Sequence, residues 1–155
     1  MKKGQTALEY LMTYGWAILI VIIVVAALYA LGLTKPCRWT GTQIREFADF
    51  KVENPLFTVG TAGSGSLEFD LSYIKPTSAK LALINVSGSG SGTYQPTTEE
   101  RLTSESRRYT VTLSDVNIAK GDCYSVDVTI YYNVTVAGGQ EVTYSTVGKI
   151  SGVAS

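Results

Sequence analysis

Gly15 to Leu33 reads GWAILIVIIVVAALYALGL, with only Trp16, Tyr29 and two glycines diluting Ile, Leu, Val and Ala. As a helix rising about 1.5 Å per residue, this stretch spans roughly 28 Å, close to the hydrocarbon thickness of a bilayer. It inserts into a membrane or packs into something equally apolar. The β-branched run Ile18 to Val25 favours a strand in water. In an apolar medium a lone strand leaves its backbone unsatisfied and a helix does not. No proline falls between Gln5 and Leu33, while Gly32 and Pro36 supply a stop. The expectation is one continuous helix from Gln5 to about Leu33.

The flanks of the stretch are unequal. Lys2, Lys3 and Gly4 precede Gln5, Glu9 follows, and no further charge occurs before Lys35. Lysines on the N-terminal side place that end in the cytoplasm and everything after the helix outside. An outside compartment is usually oxidising, so Cys37 and Cys123, the chain's two cysteines, are expected to form a disulfide. It closes a loop of about 85 residues and stabilises the domain by roughly 4 to 5 kcal/mol in the chain-entropy model. Two free buried thiols are the alternative.

About 120 residues follow the helix, enough for one domain with its own core and too few for two. Lysine plus arginine and aspartate plus glutamate balance at 13 each, so no net field recruits nucleic acid. The chain has no histidine. That removes the commonest general base and the commonest zinc ligand. Asp70, Asp115, Asp122 and Asp127 lack calcium-loop spacing, and no nucleophile elbow or phosphate-cradling loop stands out. A structural protein without cofactor or metal is expected, not an enzyme.

Beyond Cys37 the apolar period changes to two. Leu67, Phe69, Leu71 and Tyr73 alternate with polar residues, as do Tyr109, Val111 and Leu113. The longest alternation runs from Tyr124 through Val126, Val128, Ile130, Tyr132 and Val134 to Val136. One face is packed and the other solvated, the habit of antiparallel sheets. Ala137 to Gln140 reads as a hairpin turn, returning through Val142 and Tyr144 to Ile150. Ala79 to Val86 is apolar on both faces and reads as a central strand. Phe47 to Val52 and Leu56 to Val59 are two shorter candidates. Thr61 to Ser66 and Ser87 to Thr98 (SGSGSGTYQPTT) read as loose segments, the second long and exposed. About seven strands in 110 residues suggest an all-β, immunoglobulin-like antiparallel β-sandwich carried on a long N-terminal α-helix.

Three readings compete for the N-terminus. A secretory signal is removed after the apolar run, for which Ala30-Leu31-Gly32 offers small residues, but the run exceeds the usual length and Glu9 interrupts the approach. A simple anchor explains the span and the lysines and leaves Glu9 unexplained. The third reading is a prepilin. Lys2-Lys3-Gly4-Gln5-Thr6-Ala7-Leu8-Glu9-Tyr10-Leu11 resembles the class III signal peptide of archaeal type IV pilins. The resemblance implies a membrane peptidase cutting between Gly4 and Gln5, so that residues 1–4 are a leader and Glu9 becomes the fifth mature residue. It further implies that residues 5–35 are a transmembrane helix that becomes a filament core, and residues 36–155 an extracellular sandwich. Ala7 departs from the small hydroxyl residue frequent at the third mature position. The resemblance is specific over about 30 residues. Implied partners are many copies of the chain itself, the prepilin peptidase, and an assembly ATPase with its membrane platform. The implied location is a pilus on the cell surface after residence in the membrane, and adhesion its use. A monomeric membrane-anchored binding module and an archaeal flagellar-type filament subunit are the alternatives.

Physics gives the spacing a reason. An acid near the start of an apolar helix is costly unless paired. Cleavage turns the amide of Gln5 into an ammonium, a partner for Glu9 in its own or a neighbouring chain. Glu9 at the headgroup level, or read by the peptidase, is the plainer alternative. Moving the helix from lipid to a bundle gains no hydrophobic energy, so close packing and polar pairing must drive it. Gly15, Ala17, Ala26, Ala27 and Ala30 are then sites of close approach, or ordinary small residues of a span. Tyr10, Tyr14, Trp16 and Tyr29 read either as interfacial anchors or as knobs in a bundle.

Two N-glycosylation sequons occur, Asn85-Val86-Ser87 and Asn133-Val134-Thr135. The alternation places Asn133 on the solvated face and makes it the better acceptor. Asn85 ends a buried-looking strand. Tyr131 points outward and fits a subunit contact or a plain exposed aromatic. Glu99-Glu100-Arg101, and Glu105 with Arg107-Arg108, read as solvated mixed-charge faces.

Overall fold

The computed structural model describes residues 3–33, 35–45 and 47–155, the side chains of residues 3–7 and of Leu11 excepted. Met1 and Lys2 lie outside the described residues. The chain forms two compact units, residues 1–36 and residues 37–155.

The first unit is helix α1, Lys3–Ala30, 28 residues long. It begins two residues before the expected Gln5 and ends three before Leu33. Its end is a Schellman motif built on Gly32, whose φ of 66° suits a residue without Cβ. The Gly32 N–H donates to Tyr29 O at 3.0 Å and the Leu33 N–H to Leu28 O at 3.1 Å. The last carbonyls are thereby satisfied and Leu31 to Leu33 leave the helix as a turn.

The second unit opens with the short helix α2, Cys37–Thr40. Nine strands follow among the described residues: β1 Gln43–Arg45, β2 Phe50–Val59, β3 Gly65–Tyr73, β4 Ala79–Gly88, β5 Gly92–Tyr94, β6 Glu100–Leu102, β7 Arg107–Leu113, β8 Cys123–Thr135 and β9 Glu141–Val153. One sheet has the order β1-β9-β8-β4-β5, with β6 pairing the other end of β4, and the second has the order β2-β3-β7. Every pairing between strands is antiparallel. The sheets pack as a sandwich whose core is almost wholly apolar. Phe57 of β2 stacks on Tyr124 of β8 with ring centroids 4.6 Å apart. Phe50 meets Tyr132 edge-on at 5.1 Å.

The alternation expected of Leu67 to Tyr73, Tyr109 to Leu113 and Tyr124 to Val134 is the observed burial pattern. The β8–β9 hairpin is closed as expected, the Val136 N–H donating to Gln140 O at 2.9 Å. Four expectations need correction. The apolar run in β4 is not buried on both faces: the register shifts between Leu81 and Leu83, so Ala79 and Leu81 face the core before the bulge and Ile84 and Val86 after it. Ala82 and Leu83 are the residues displaced to partial exposure. Phe47 to Val52 and Leu56 to Val59 do not form two strands. Phe50 to Val59 is one, with a register shift at Asn54-Pro55 where the chain bends. The strand count is nine rather than about seven, because three-residue β1, β5 and β6 carry too few residues to show a period.

The fourth correction concerns Ser87 to Thr98. The glycine-serine run is held against the sheet: Gly90 is buried, Ser91 bridges Ser114, and β5 lies within it. A Cβ on Gly92 falls 2.1 Å from Thr112 O. Absent side chains here permit close approach of two backbones, not flexibility. The bridge closes one flank of the sandwich. The other is closed by Ser155, whose N–H donates to Phe57 O at 2.9 Å while its carbonyl accepts from the Val59 N–H at 3.0 Å.

Candidate functional site

The residues that bear on function lie first on α1. Leu8–Ala30, 23 residues, is long and apolar enough to cross a membrane. None of its described side chains is buried, and the large apolar ones range from 42% exposed at Leu28 to 82% at Met12. A helix apolar all round belongs in lipid or inside a bundle of helices. Near its start the Tyr10 and Tyr14 rings lie 4.3 Å apart. The Thr13 hydroxyl donates to the Glu9 carbonyl at 2.7 Å. Ala17 leaves a hollow of about 420 Å³ lined by Tyr10, Tyr14, Ala17, Ile18, Val21 and Ile22. All six sit on one face at helical spacing.

Glu9 is exposed on this helix. The Gly4-Gln5 bond lies in the first turn of α1, where N–H groups have no partner one turn back and the end frays readily. The side chain of Gln5 lies outside the described residues.

Cys37 and Cys123 form the expected disulfide, with Cα atoms 5.7 Å apart. It ties the first residue of the sandwich unit to the start of β8. The far end of β8 is the hairpin, about 40 Å away for a 13-residue strand.

Both sequons occupy the outer face of the larger sheet, and their exposure reverses the expectation. Asn85 is exposed, opposite Thr129 of β8 and Thr93 of β5. Asn133 is half-buried, and its amide oxygen accepts a 2.8 Å hydrogen bond from the Thr143 hydroxyl. A strand's alternation gives the face, not the neighbours that crowd it. Tyr131 lies between the two positions, outward and 36% exposed, opposite Leu83 and Ser145. Of the charged runs expected to be solvated, Glu100 is not: Tyr94 donates to it at 3.0 Å, and its Oε2 is buried. Burial, with Glu100 adding to it, pushes the Tyr109 hydroxyl up to about 12.

A polar cluster at the hairpin end has no counterpart in the sequence patterns. Asp49 accepts from the Tyr132 hydroxyl at 2.5 Å and pairs with Lys75 at 2.5 Å. The Lys75 ammonium, then the Tyr132 hydroxyl, hold the Asp49 carboxyl below its usual range. Burial, then the bond to Asp49, raises the Tyr132 hydroxyl. No regular spacing joins positions 49, 75 and 132, so no motif signals them. On the second sheet Arg108 holds Asp70 through bonds of 2.8 and 3.1 Å. No group of His, Cys, Asp and Glu among the described residues is arranged to hold a metal ion.

No protein-family model matches the sequence, and no curated protein matches it. Solved structures with partial likeness to the chain include two. One is the X-ray structure of a Northeast Structural Genomics Consortium target, SoR45, 10% identical with a TM-score of 0.45, covering 69% of this chain and 88% of that one. The other is the crystal structure of a protein from Archaeoglobus fulgidus, 9% identical with a TM-score of 0.41, covering 68% of this chain and 96% of that one. Likeness at this level carries no argument about fold or function.

Proposed function

We propose that the chain is the structural subunit of an archaeal type IV pilus. The observation that carries this reading is the pairing of an uncovered, wholly apolar helix with one acid near its start, at Glu9. In this reading the precursor waits in the membrane with its lysines inside. A prepilin peptidase removes residues 1–4, and an assembly ATPase with its platform moves the helix from lipid into a bundle of its own kind. The sandwich, of immunoglobulin-like kind, forms the outer sheath, and the filament serves adhesion at the cell surface.

The charge chemistry supports it. Glu9 lies four residues after Gln5, about 6 Å along a helix. An ammonium created at Gln5 is thus within reach of the Glu9 carboxylate, and the pair enters an apolar bundle at lower desolvation cost than either ion alone. Before cleavage no such cation exists at Gln5. Cleavage therefore licenses assembly.

A monomeric membrane-anchored binding module is the second reading, favoured by the same span length. Mass spectrometry of the mature N-terminus separates them: Gln5 for the pilin, Met1 for the anchor, a start near Leu33 for a secreted domain. Negative-stain microscopy of the cell surface then shows filaments that carry this chain or none. A Met1 start with no filaments overturns the proposal.

A further inference from the structure

We infer that the hairpin end of the sandwich is a binding site for an acidic carbohydrate. Two adjoining hollows meet there, about 440 Å³ and about 320 Å³ in volume. Both are of small-ligand size. Tyr73, Lys75 and Thr77 line both, so the β3–β4 connection forms the wall between them.

The larger hollow is built for a hydroxylated anion. Its polar lining comes from Lys75, Thr77, Ser78, Arg101, Thr103 and Ser104, with no carboxylate among its lining residues. Arg101 is exposed on β6. Its planar fork of donors suits a carboxylate. Lys75 keeps half its side chain exposed while pairing with Asp49, so its remaining N–H groups stay available. Asp49 and Tyr132 fix the position of that ammonium from behind.

The smaller hollow supplies an aromatic wall. β8 and β9 run past the second sheet here, leaving inward-facing Tyr144 46% exposed beside Val134 and Val136. One face of the Tyr144 ring stacks on Tyr132 at 5.9 Å. Its remaining exposure offers the flat apolar surface on which the C–H face of a sugar ring rests. Hydroxyls, the Arg101 guanidinium, the Asp49-paired Lys75 ammonium and an aromatic platform in adjoining hollows select a ligand that is at once polyhydroxylated, ring-shaped and negative. A plain apolar ligand leaves the first hollow unused, and a bare inorganic anion leaves the second.

The site does not depend on polymerisation, since every residue named belongs to the sandwich unit. The test uses the full chain in detergent, with trigalacturonate as the acidic probe, maltotriose as the neutral one, and sulfate as the bare anion. Saturation-transfer NMR and titration should show saturable trigalacturonate binding, with maltotriose and sulfate each at least tenfold weaker. Arg101→Glu should weaken trigalacturonate binding about tenfold or more, the scale of a lost charge-assisted contact. Tyr144→Ala should abolish the saturation-transfer signal from the sugar ring protons. Lys120→Glu, an exposed charge change outside both hollows, should leave binding unchanged. Arg101→Gln repeats the test if Arg101→Glu melts below the wild-type temperature. Absence of saturable binding overturns the inference. So does binding lost equally in Lys120→Glu, or sulfate bound as tightly as the trisaccharide.

Discussion

The Tyr132 hydroxyl donates to the Asp49 carboxylate at 2.5 Å, across 83 residues of sequence. The bond ties the middle of the larger sheet to the start of β2 and orients the carboxylate that Lys75 meets. Tyr132 is 2% exposed and is one of two groups that hold the half-buried Asp49 carboxylate, the other being Lys75. Tyr132→Phe should therefore cost about 1.5 to 3 kcal/mol, the range for hydrogen bonds to charged groups. Thermal or denaturant unfolding of the full chain in detergent measures it.

The same pair sets a pH window. Asp49 is depressed in the fold, so its contribution is complete above the ordinary aspartate pKa of about 3.9 and is lost as pH falls through the lower folded value. Tyr132 is raised, so its contribution is complete below about 10 and is lost as pH rises towards the folded value. Unfolding midpoints against pH should fall at both ends. Tyr132→Phe should shallow the alkaline fall without removing it, because burial also pushes Tyr124 up to about 12. Asp49→Asn should shallow both falls, the acid one because the carboxylate is gone and the alkaline one because Tyr132 and Lys75 lose the charge that raises them. Profiles parallel to wild type in both variants would show that the pair does not set the window.

The disulfide should contribute about 4.6 kcal/mol by loop closure, given the 86-residue separation of Cys37 and Cys123. Melting with and without reductant reads this directly. Cys123→Ser should match the reduced wild type, and adding reductant to the variant should change nothing. A variant that melts with the oxidised protein would mean that the unfolded chain is already compact around this pair.

The long alternating strands were legible because each residue of Tyr124 to Val134 reports its own face. Legibility failed where a single residue breaks the phase. In β4 the bulge at Leu81 to Leu83 made one buried face look like two. At Asn54-Pro55 a bend made one strand look like two. The glycine-serine run misled for a different reason. Composition distinguishes a chain without side chains from one with them, but not a flexible chain from a closely packed one. The Asp49–Lys75–Tyr132 cluster was invisible because tertiary packing alone brings it together. At the N-terminus, by contrast, charge and hydropathy are one-dimensional, and the helix was plain.

Gly92 tests the packed glycines. A Cβ there meets the Thr112 carbonyl at 2.1 Å and the Leu113 side chain at 3.1 Å, so backbone must move. Gly92→Ala should lose about 1 to 3 kcal/mol, the usual cost of overpacking. Ser87→Ala, exposed in the same segment, should stay within about 0.5 kcal/mol. Equal stability of the two variants would restore the flexible-loop description.

The two sequons should differ in occupancy. Mass spectrometry of the chain from its native cell should show the heavier modification at Asn85, which is exposed. Asn133, engaged by Thr143, should be lighter. Thr143→Ala should raise occupancy at Asn133 alone. An unchanged ratio in that variant counts against the hydrogen bond as the reason.

In the proposed pilus, Glu9 is the position on which assembly turns. If an ammonium at Gln5 is its partner, Glu9→Ala leaves that cation unpaired as the helix enters an apolar bundle, at a cost of several kcal/mol per subunit. Glu9→Ala should therefore be cleaved normally, remain in the membrane, and form few or no filaments. Glu9→Asp keeps the charge on a shorter arm and should recover part of the yield. Cleavage and assembly are read separately, by the N-terminal mass and by filament counts, so a peptidase defect is not mistaken for an assembly defect. Normal cleavage with wild-type filament numbers in Glu9→Ala would falsify the pairing role. Gly15→Ala supplies the complementary measurement. Nothing lies within 4 Å of a Cβ at Gly15, so the substitution should not disturb the isolated chain and favours the helix by about 1 kcal/mol. A loss of filaments in Gly15→Ala then reports close approach of a neighbouring helix at that turn, and an unchanged yield places the approach elsewhere along the span.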